Sequence, residues 1–210
     1  MYCLFVKRLL DIILSASAML ILLPIYIVIA ILVVITMGRP VLFAQDRIGK
    51  GGKAFRLYKY RSMTNACDNQ GNLLPECERL TKFGEFLRSS SLDELPELWA
   101  IFIGKMSFVG PRPMPTYYDP YFLKEERERH TVKGGLIPPD SLSLKPGITY
   151  EEQFKYEIQY ARNISFTLDI RVIITTFVIL YKRIKENYGS DFRPHLNVYR
   201  SHMNQNRPSK

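Results

Sequence analysis

Hydrophobic positions in this 210-residue chain are concentrated in one long run and then spread into shorter periodic segments. From Ile12 to Met37 there is no charged residue, a run of 26 positions. As a straight helix this would measure about 39 Å, enough to cross a hydrocarbon core of roughly 30 Å. Pro40–Gln45 and Ala54–Met63 then read as strands, and the turn residues Gly49-Lys50-Gly51-Gly52 between them predict a β-hairpin. Thr81–Arg88 reads as a helix. Leu92, Leu95, Leu98, Trp99 and Phe102 recur at helical spacing, which predicts a buried face. Asn65–Glu78 and Gly134–Pro139 read as loops, and the charge-mixed Lys124–His130 as a solvated helix face. Ser165–Lys185 is amphipathic to apolar, but its uncharged stretch, Val172–Tyr181, is too short to span. It is either a core helix or one lying in a membrane interface. A polar tail follows Ser201.

Pro24 divides the apolar run almost in half. A proline inside a helix removes one hydrogen bond and clashes with the preceding turn, so a kink is expected there. Both flanks are basic: Lys7 and Arg8 before, Arg39, Arg47, Lys50 and Lys53 after. The positive-inside tendency then holds both ends on the cytoplasmic side, as a kinked helix that enters and returns through one leaflet would. A spanning helix with a tolerated proline is the alternative. A signal peptide fits poorly, because the small residues Ser15-Ala16-Ser17-Ala18 precede the longest apolar part instead of following it.

Charge narrows the class of partner. The net charge of +9 points to a polyanion: anionic headgroups, nucleotide phosphates or nucleic acid. Cys3, Cys67 and Cys77 are an odd, widely spaced set, which argues for a reducing compartment over a disulfide framework. His130, His195 and His202 are scattered, so no zinc-like spacing exists.

Candidate chemistry is densest at Ser91-Leu92-Asp93-Glu94-Leu95-Pro96-Glu97. Pro96 is tolerated only in a first turn, so a helix should begin close to Asp93, with Ser91 and Glu94 as a capping box or Asp93 itself as the cap. The positive helix end would keep a carboxylate ionised. Capping and chemistry both explain these acids. Pro111-Arg112-Pro113 fixes one guanidinium between two prolines, suited to a bidentate phosphate contact or to a structural salt bridge. The hairpin carries six cations from Arg47 to Arg61 and no acid after Asp46. Lys59 or Arg61 reaches a substrate phosphate, or the hairpin simply faces water or headgroups. An acid pair, cations for phosphate and a membrane anchor in one small chain suggest chemistry on a lipid phosphate.

Together these residues resemble the bacterial sugar transferases, the small monotopic phosphoglycosyl transferases that start glycan assembly on polyprenyl phosphate. The resemblance runs through Lys7-Arg8 with Asp11, the proline-split apolar run, Gln45-Asp46-Arg47-Ile48-Gly49 and Tyr58-Lys59-Tyr60-Arg61-Ser62-Met63. It continues through Thr81-Lys82-Phe83-Gly84, Leu87-Arg88, Ser91–Pro96, Val109–Pro113, Lys145-Pro146-Gly147-Ile148-Thr149 and Asn163–Phe166 with Leu168-Asp169.

The resemblance implies a mainly helical α+β fold. A re-entrant membrane anchor over 1–39 would be kinked at Pro24. A compact cytosolic catalytic domain with a short hairpin and interfacial amphipathic helices would cover 40–200, and a polar tail 201–210. It implies transfer of a phosphosugar from a UDP-sugar to undecaprenyl phosphate, with release of UMP, at the cytoplasmic face of a bacterial inner membrane. Asp93 would be the nucleophile, forming a covalent aspartyl-phosphosugar and also touching Mg²⁺. Glu94 would assist. Lys59, Arg61, Arg88, Arg112 and Glu157 would bind phosphate or substrate. Membrane lipid is an expected partner, nucleic acid is not, and a homo-oligomer is compatible.

Departures lie late in the chain. Thr149 runs into Tyr150-Glu151-Glu152-Gln153-Phe154, where many members have Gly-Trp-Ala-Gln-Val-Asn-Gly-Arg-Asn. Gly134–Ser141 looks added. Lys105 and Glu157 stand where aspartate is usual, and Leu23 where serine is frequent before the proline. These favour a reshaped nucleotide-sugar pocket. A non-catalytic membrane scaffold of a glycan-assembly complex is the competing reading. A membrane-attached nucleic-acid binder would need aromatic residues interleaved on a basic sheet, which Tyr58 and Tyr60 offer weakly.

Overall fold

The computed structural model describes residues 2–145, 147–186 and 194–201. Pro146 and the tail from residue 202 onward lie outside the described residues. A π-helical turn, Tyr2–Val6, leads into α1 (Lys7–Ile21) and α2 (Leu23–Met37). The hairpin strands β1 (Leu42–Ile48) and β2 (Ala54–Tyr60) follow, then α3 (Glu76–Arg79), α4 (Lys82–Ser89), α5 (Glu97–Phe102) and β3 (Met106–Val109). The chain closes with β4 (Gly134–Ile137), α6 (Tyr150–Arg162), α7 (Phe166–Glu186) and α8 (Leu196–Tyr199). The fold is mainly helical α+β, with β1 paired to β2 and β3 to β4. It divides into two compact units. One holds the N-terminal residues through Asp11, Asp46–Phe55 and the chain from Gly104; the other holds Ile12–Gln45 and Arg56–Ile103.

α1 and α2 meet at 62°. Pro24 sits in the first turn of α2 and has no N–H to give the Leu20 carbonyl, so the ladder is interrupted where the axis turns. Among the described residues no single helix is long and apolar enough to cross a membrane, whereas the bent pair passes that test together.

In the unit containing α2, one face of the helix (Ile29, Val33, Met37) packs on Tyr60 of β2 and Leu87 of α4. Two phenols tie the elements together. Tyr60 Oη donates to the Tyr26 carbonyl (2.9 Å), and Tyr26 Oη donates to the Leu95 carbonyl (2.5 Å). Thr81 caps α4 by accepting from the Gly84 N–H at 2.9 Å. Gly84 is required because a Cβ there would collide with the Ser62 carbonyl. The strand predicted through Met63 ends at Tyr60, where Arg61 turns inward to donate to the Met37 carbonyl.

The other unit corrects two expectations. Gly134–Pro139 is not all loop: Gly134–Ile137 forms β4, parallel to β3 with Met106 opposite Gly134 and Val109 opposite Ile137. The paired glycines hid this strand, since they carry no β-type side chain. They serve close approach, as a Cβ on Gly135 would strike the Gly110 backbone. Lys124–His130 is likewise not a solvated face. It lies in a 3₁₀ segment (Glu125–Thr131) whose Glu126, Arg129 and His130 are buried. Arg129 lies against the rings of Phe122 and Phe154, 5.4 and 5.0 Å from their centroids, beside a core of Ile48, Met114, Tyr118, Tyr150 and Leu196.

Candidate active site

Asp93 does not sit on the first turn of a regular helix. Leu92–Glu94 forms a 3₁₀ turn, and α5 begins only at Glu97, after Pro96. Ser91, at φ 57°, makes no side-chain cap, so the expected capping box does not form. Its left-handed backbone turns the chain sharply, and the two acids are carried on the resulting short turn. α5 is six residues long and begins beyond Asp93, so no helix end holds this carboxylate. Trp99 also departs from the predicted buried face: it is 52% exposed, while the short helix buries Glu97, Leu98, Ala100 and Ile101.

The two acids differ in electrostatic environment. Glu94 accepts from Lys59 Nζ at 2.6 Å, and the same ammonium lies 3.2 Å from Glu97. Lys59 thus bridges a carboxylate on the turn and a buried one on α5. Asp93 has no salt bridge among the described residues. Burial raises its pKa above the ordinary carboxyl value; Lys59 opposes this, Glu94 adds to it and Arg88 opposes it. No helix end acts on this carboxylate, and burial outweighs the nearby cations, so the net shift is upward. Arg88 is half exposed and donates from Nε to Ser62 Oγ at 2.9 Å. Arg61 is only 6% exposed, and its Nε and Nη1 have no partner. In this unit, then, Asp93, Glu94, Lys59 and Arg88 share one electrostatic neighbourhood, while Arg61 lies buried under the end of α2.

Arg112 and Glu157 belong to the other unit. Arg112 is exposed, but its backbone is held on both sides. Its N–H donates to Glu157 Oε1 at 3.0 Å, and its carbonyl accepts from Arg129 Nη2 at 2.6 Å. Glu157, on α6, is 0% exposed; it also accepts from Arg129 Nε at 2.5 Å and from Gln153 at 3.0 Å. Its carboxylate is committed to this lattice, which the spacing of the sequence could not reveal.

Two residues were missed at the level of sequence. Glu97 stands three positions after Glu94, and that spacing is the signal the sequence carries for it. Arg129 was hidden inside a run of alternating charge.

The family model of the bacterial sugar transferases matches residues 2–183. The chain belongs to that family. It is 42% identical over 139 residues to the sugar transferase EpsL of Bacillus subtilis, covering 66% of this chain and 69% of EpsL. It is 36% identical over 189 residues to the UDP-glucose:undecaprenyl-phosphate glucose-1-phosphate transferase of Xanthomonas campestris, covering 84% of this chain. It spans only 39% of that relative's length. A Rhizobium leguminosarum exopolysaccharide production protein, PSS, is 34% identical over 82% of this chain and 93% of its own length.

Among the described residues no three His, Cys, Asp or Glu side chains form a metal cage. Magnesium does not require one, since it is commonly held by one or two carboxylates together with substrate phosphates and water. Asp93, a hard oxygen donor without a salt bridge, fits such a shared ion.

Proposed function

We propose that this chain transfers a sugar-1-phosphate from a UDP-sugar to undecaprenyl phosphate at the cytoplasmic face of the inner membrane, releasing UMP. The observation that carries the reading is the asymmetry of the acid pair. Glu94 is held by Lys59, whereas Asp93 has no salt bridge and burial makes its carboxylate more basic. The relatives' names supply the substrate class.

In the first step an Asp93 carboxylate oxygen attacks the β-phosphorus of the UDP-sugar. The bond from that phosphorus to the bridging oxygen breaks, and UMP leaves with the electron pair. In the second step a phosphate oxygen of undecaprenyl phosphate attacks the same phosphorus, and the Asp93 carboxylate is released. Splitting one transfer in two in this way is the usual use of a carboxylate nucleophile. A magnesium ion on Asp93 would neutralise diphosphate charge. Lys59 and Arg88 stabilise negative charge beside the turn, and Lys59 keeps Glu94 oriented to take the acceptor's proton. Arg112 offers a forked donor for phosphate on a pinned backbone.

The bent α1–α2 pair supports a re-entrant anchor. Tyr26 on α2 bonds the backbone at Leu95, two residues past Asp93, so the anchor and the acid turn are mechanically joined. The test is UMP release by the purified chain with undecaprenyl phosphate and a panel of UDP-sugars that includes UDP-glucose. The reading predicts release with at least one sugar and none from Asp93→Asn. Release by Asp93→Asn at the wild-type rate contradicts it.

A further inference from the structure

A second cationic site belongs to the unit that does not hold the acid pair. Within the unit formed around β3 and β4, an open cleft is lined by Lys7, Arg8, Lys50 and Lys133. Asp11 is the one acid in its lining, and its carboxylate already accepts from Ser107 Oγ (3.1 Å) and the Phe108 N–H (3.0 Å). Lys7 pairs with Asp169, a buried acid that also accepts from Tyr2 and Tyr160. The lining itself thus carries four cations and one carboxylate. In the neighbouring Glu125–Thr131 segment, Glu126 is committed to Arg200 and Glu128 to Arg162, while Glu125 is exposed.

Its setting is that of a membrane surface. Lys7, Arg8 and Asp11 stand immediately before the uncharged run that begins at Ile12. Phe5, Val6 and Leu9 beside them are exposed, as are Ile170, Ile174, Phe177 and Val178 along α7. The ring of Tyr2 meets that of Phe166 at the start of α7, so both apolar surfaces belong to one body. Val132 and Ile164 supply apolar lining to the cleft itself. A ligand with a phosphate at one end and acyl chains at the other satisfies both features.

We infer that this cleft binds the phosphate of an anionic phospholipid headgroup, seating the entry of the membrane helix against the bilayer surface. The inference is independent of the transfer chemistry and rests on the membrane reading of α1–α2. A basic residue at an anionic surface is worth about fivefold in affinity. Lys50 is exposed on the hairpin turn and Lys133 half-buried.

The test is native mass spectrometry of the full chain in detergent, titrated with phosphatidylglycerol, phosphatidylcholine or inorganic phosphate. Phosphatidylglycerol should be retained in preference to phosphatidylcholine. Lys50→Gln should weaken retention about fivefold, and Lys50→Gln with Lys133→Gln about 25-fold. Equal retention of the two lipids, or unchanged retention by Lys50→Gln, overturns the inference. Binding of inorganic phosphate with no added preference for phosphatidylglycerol assigns the cleft to a soluble anion and also overturns it. Flotation with neutral vesicles separates the two claims. A chain that floats but shows no lipid preference loses only this site, whereas a chain that does not float loses the membrane reading as well.

Discussion

Replacing Arg129 by Met should unfold the protein more readily and also silence it, and a second substitution should separate those effects. Arg129 is 1% exposed and Glu157 0%, so removing the guanidinium leaves a carboxylate buried without its charge partner. Breaking a buried pair from one side costs about 3–5 kcal/mol, out of a total stability of about 5–15 kcal/mol. For a chain of this size that lowers Tm by roughly 10 °C or more. Replacing both members by apolar residues, Arg129→Met with Glu157→Leu, removes the stranded charge, and such double replacements are often close to neutral. The double variant should therefore regain at least ~2 kcal/mol of the loss. Activity should not return with it. The Arg112 N–H and carbonyl both lose their partners, and a reacting group misplaced by ~1 Å can cost about a hundredfold in rate. Thermal unfolding in detergent, read beside UMP release, checks both halves. If the double variant recovers stability and turnover together, the pair does not act through Arg112. If the single variant loses less than ~1 kcal/mol, the pair is not buried as described.

Other outcomes follow from the same geometry. Arg112→Lys keeps the charge but loses the fork, so it should fold normally and lose most of its turnover; near wild-type activity would assign Arg112 a structural part. Pro24→Ala removes an interior penalty of about 3 kcal/mol and should straighten α1–α2, so cysteine labelling at Gly38 from outside the cell should rise above the wild-type level. Unchanged labelling and unchanged turnover would sink the link between the kink and the acid turn. His130 is pushed from 6.5 down to about 3, chiefly by burial and then by Arg129 and Arg127. Its folded pKa is depressed, so the unfolded chain binds its proton first and stability falls as pH drops from 6.5 toward 3. The loss should reach about 2 kcal/mol by pH 5, and His130→Gln should flatten that slope in thermal melts.

Much of the local structure was legible because its signals are local. Pro24 marked the bend, the glycine-rich turn marked the β1–β2 hairpin, and Thr81 marked the start of α4. What escaped was set by tertiary contact. β4 carries two glycines because the Gly110 backbone passes against Gly135 and the Pro113 ring against Gly134, and no propensity records those approaches. Arg129 reads as one charge among several until Glu157 arrives from α6, 28 residues away in sequence. At the site, Asp93 and Glu94 were legible as a pair, but their inequality was not. It depends on Lys59 reaching Glu94 and Glu97 from β2, and on burial of the Asp93 carboxylate.

The central claim is that Asp93 carries the phosphosugar. The direct measurement is mass spectrometry of the purified chain incubated with its UDP-sugar and no lipid acceptor, followed by peptide mapping. UMP should appear in an amount equal to the enzyme present, and the added phosphosugar should sit on the peptide containing Asp93. An adduct on Glu94 or Glu97, or no UMP until undecaprenyl phosphate is supplied, would contradict the account.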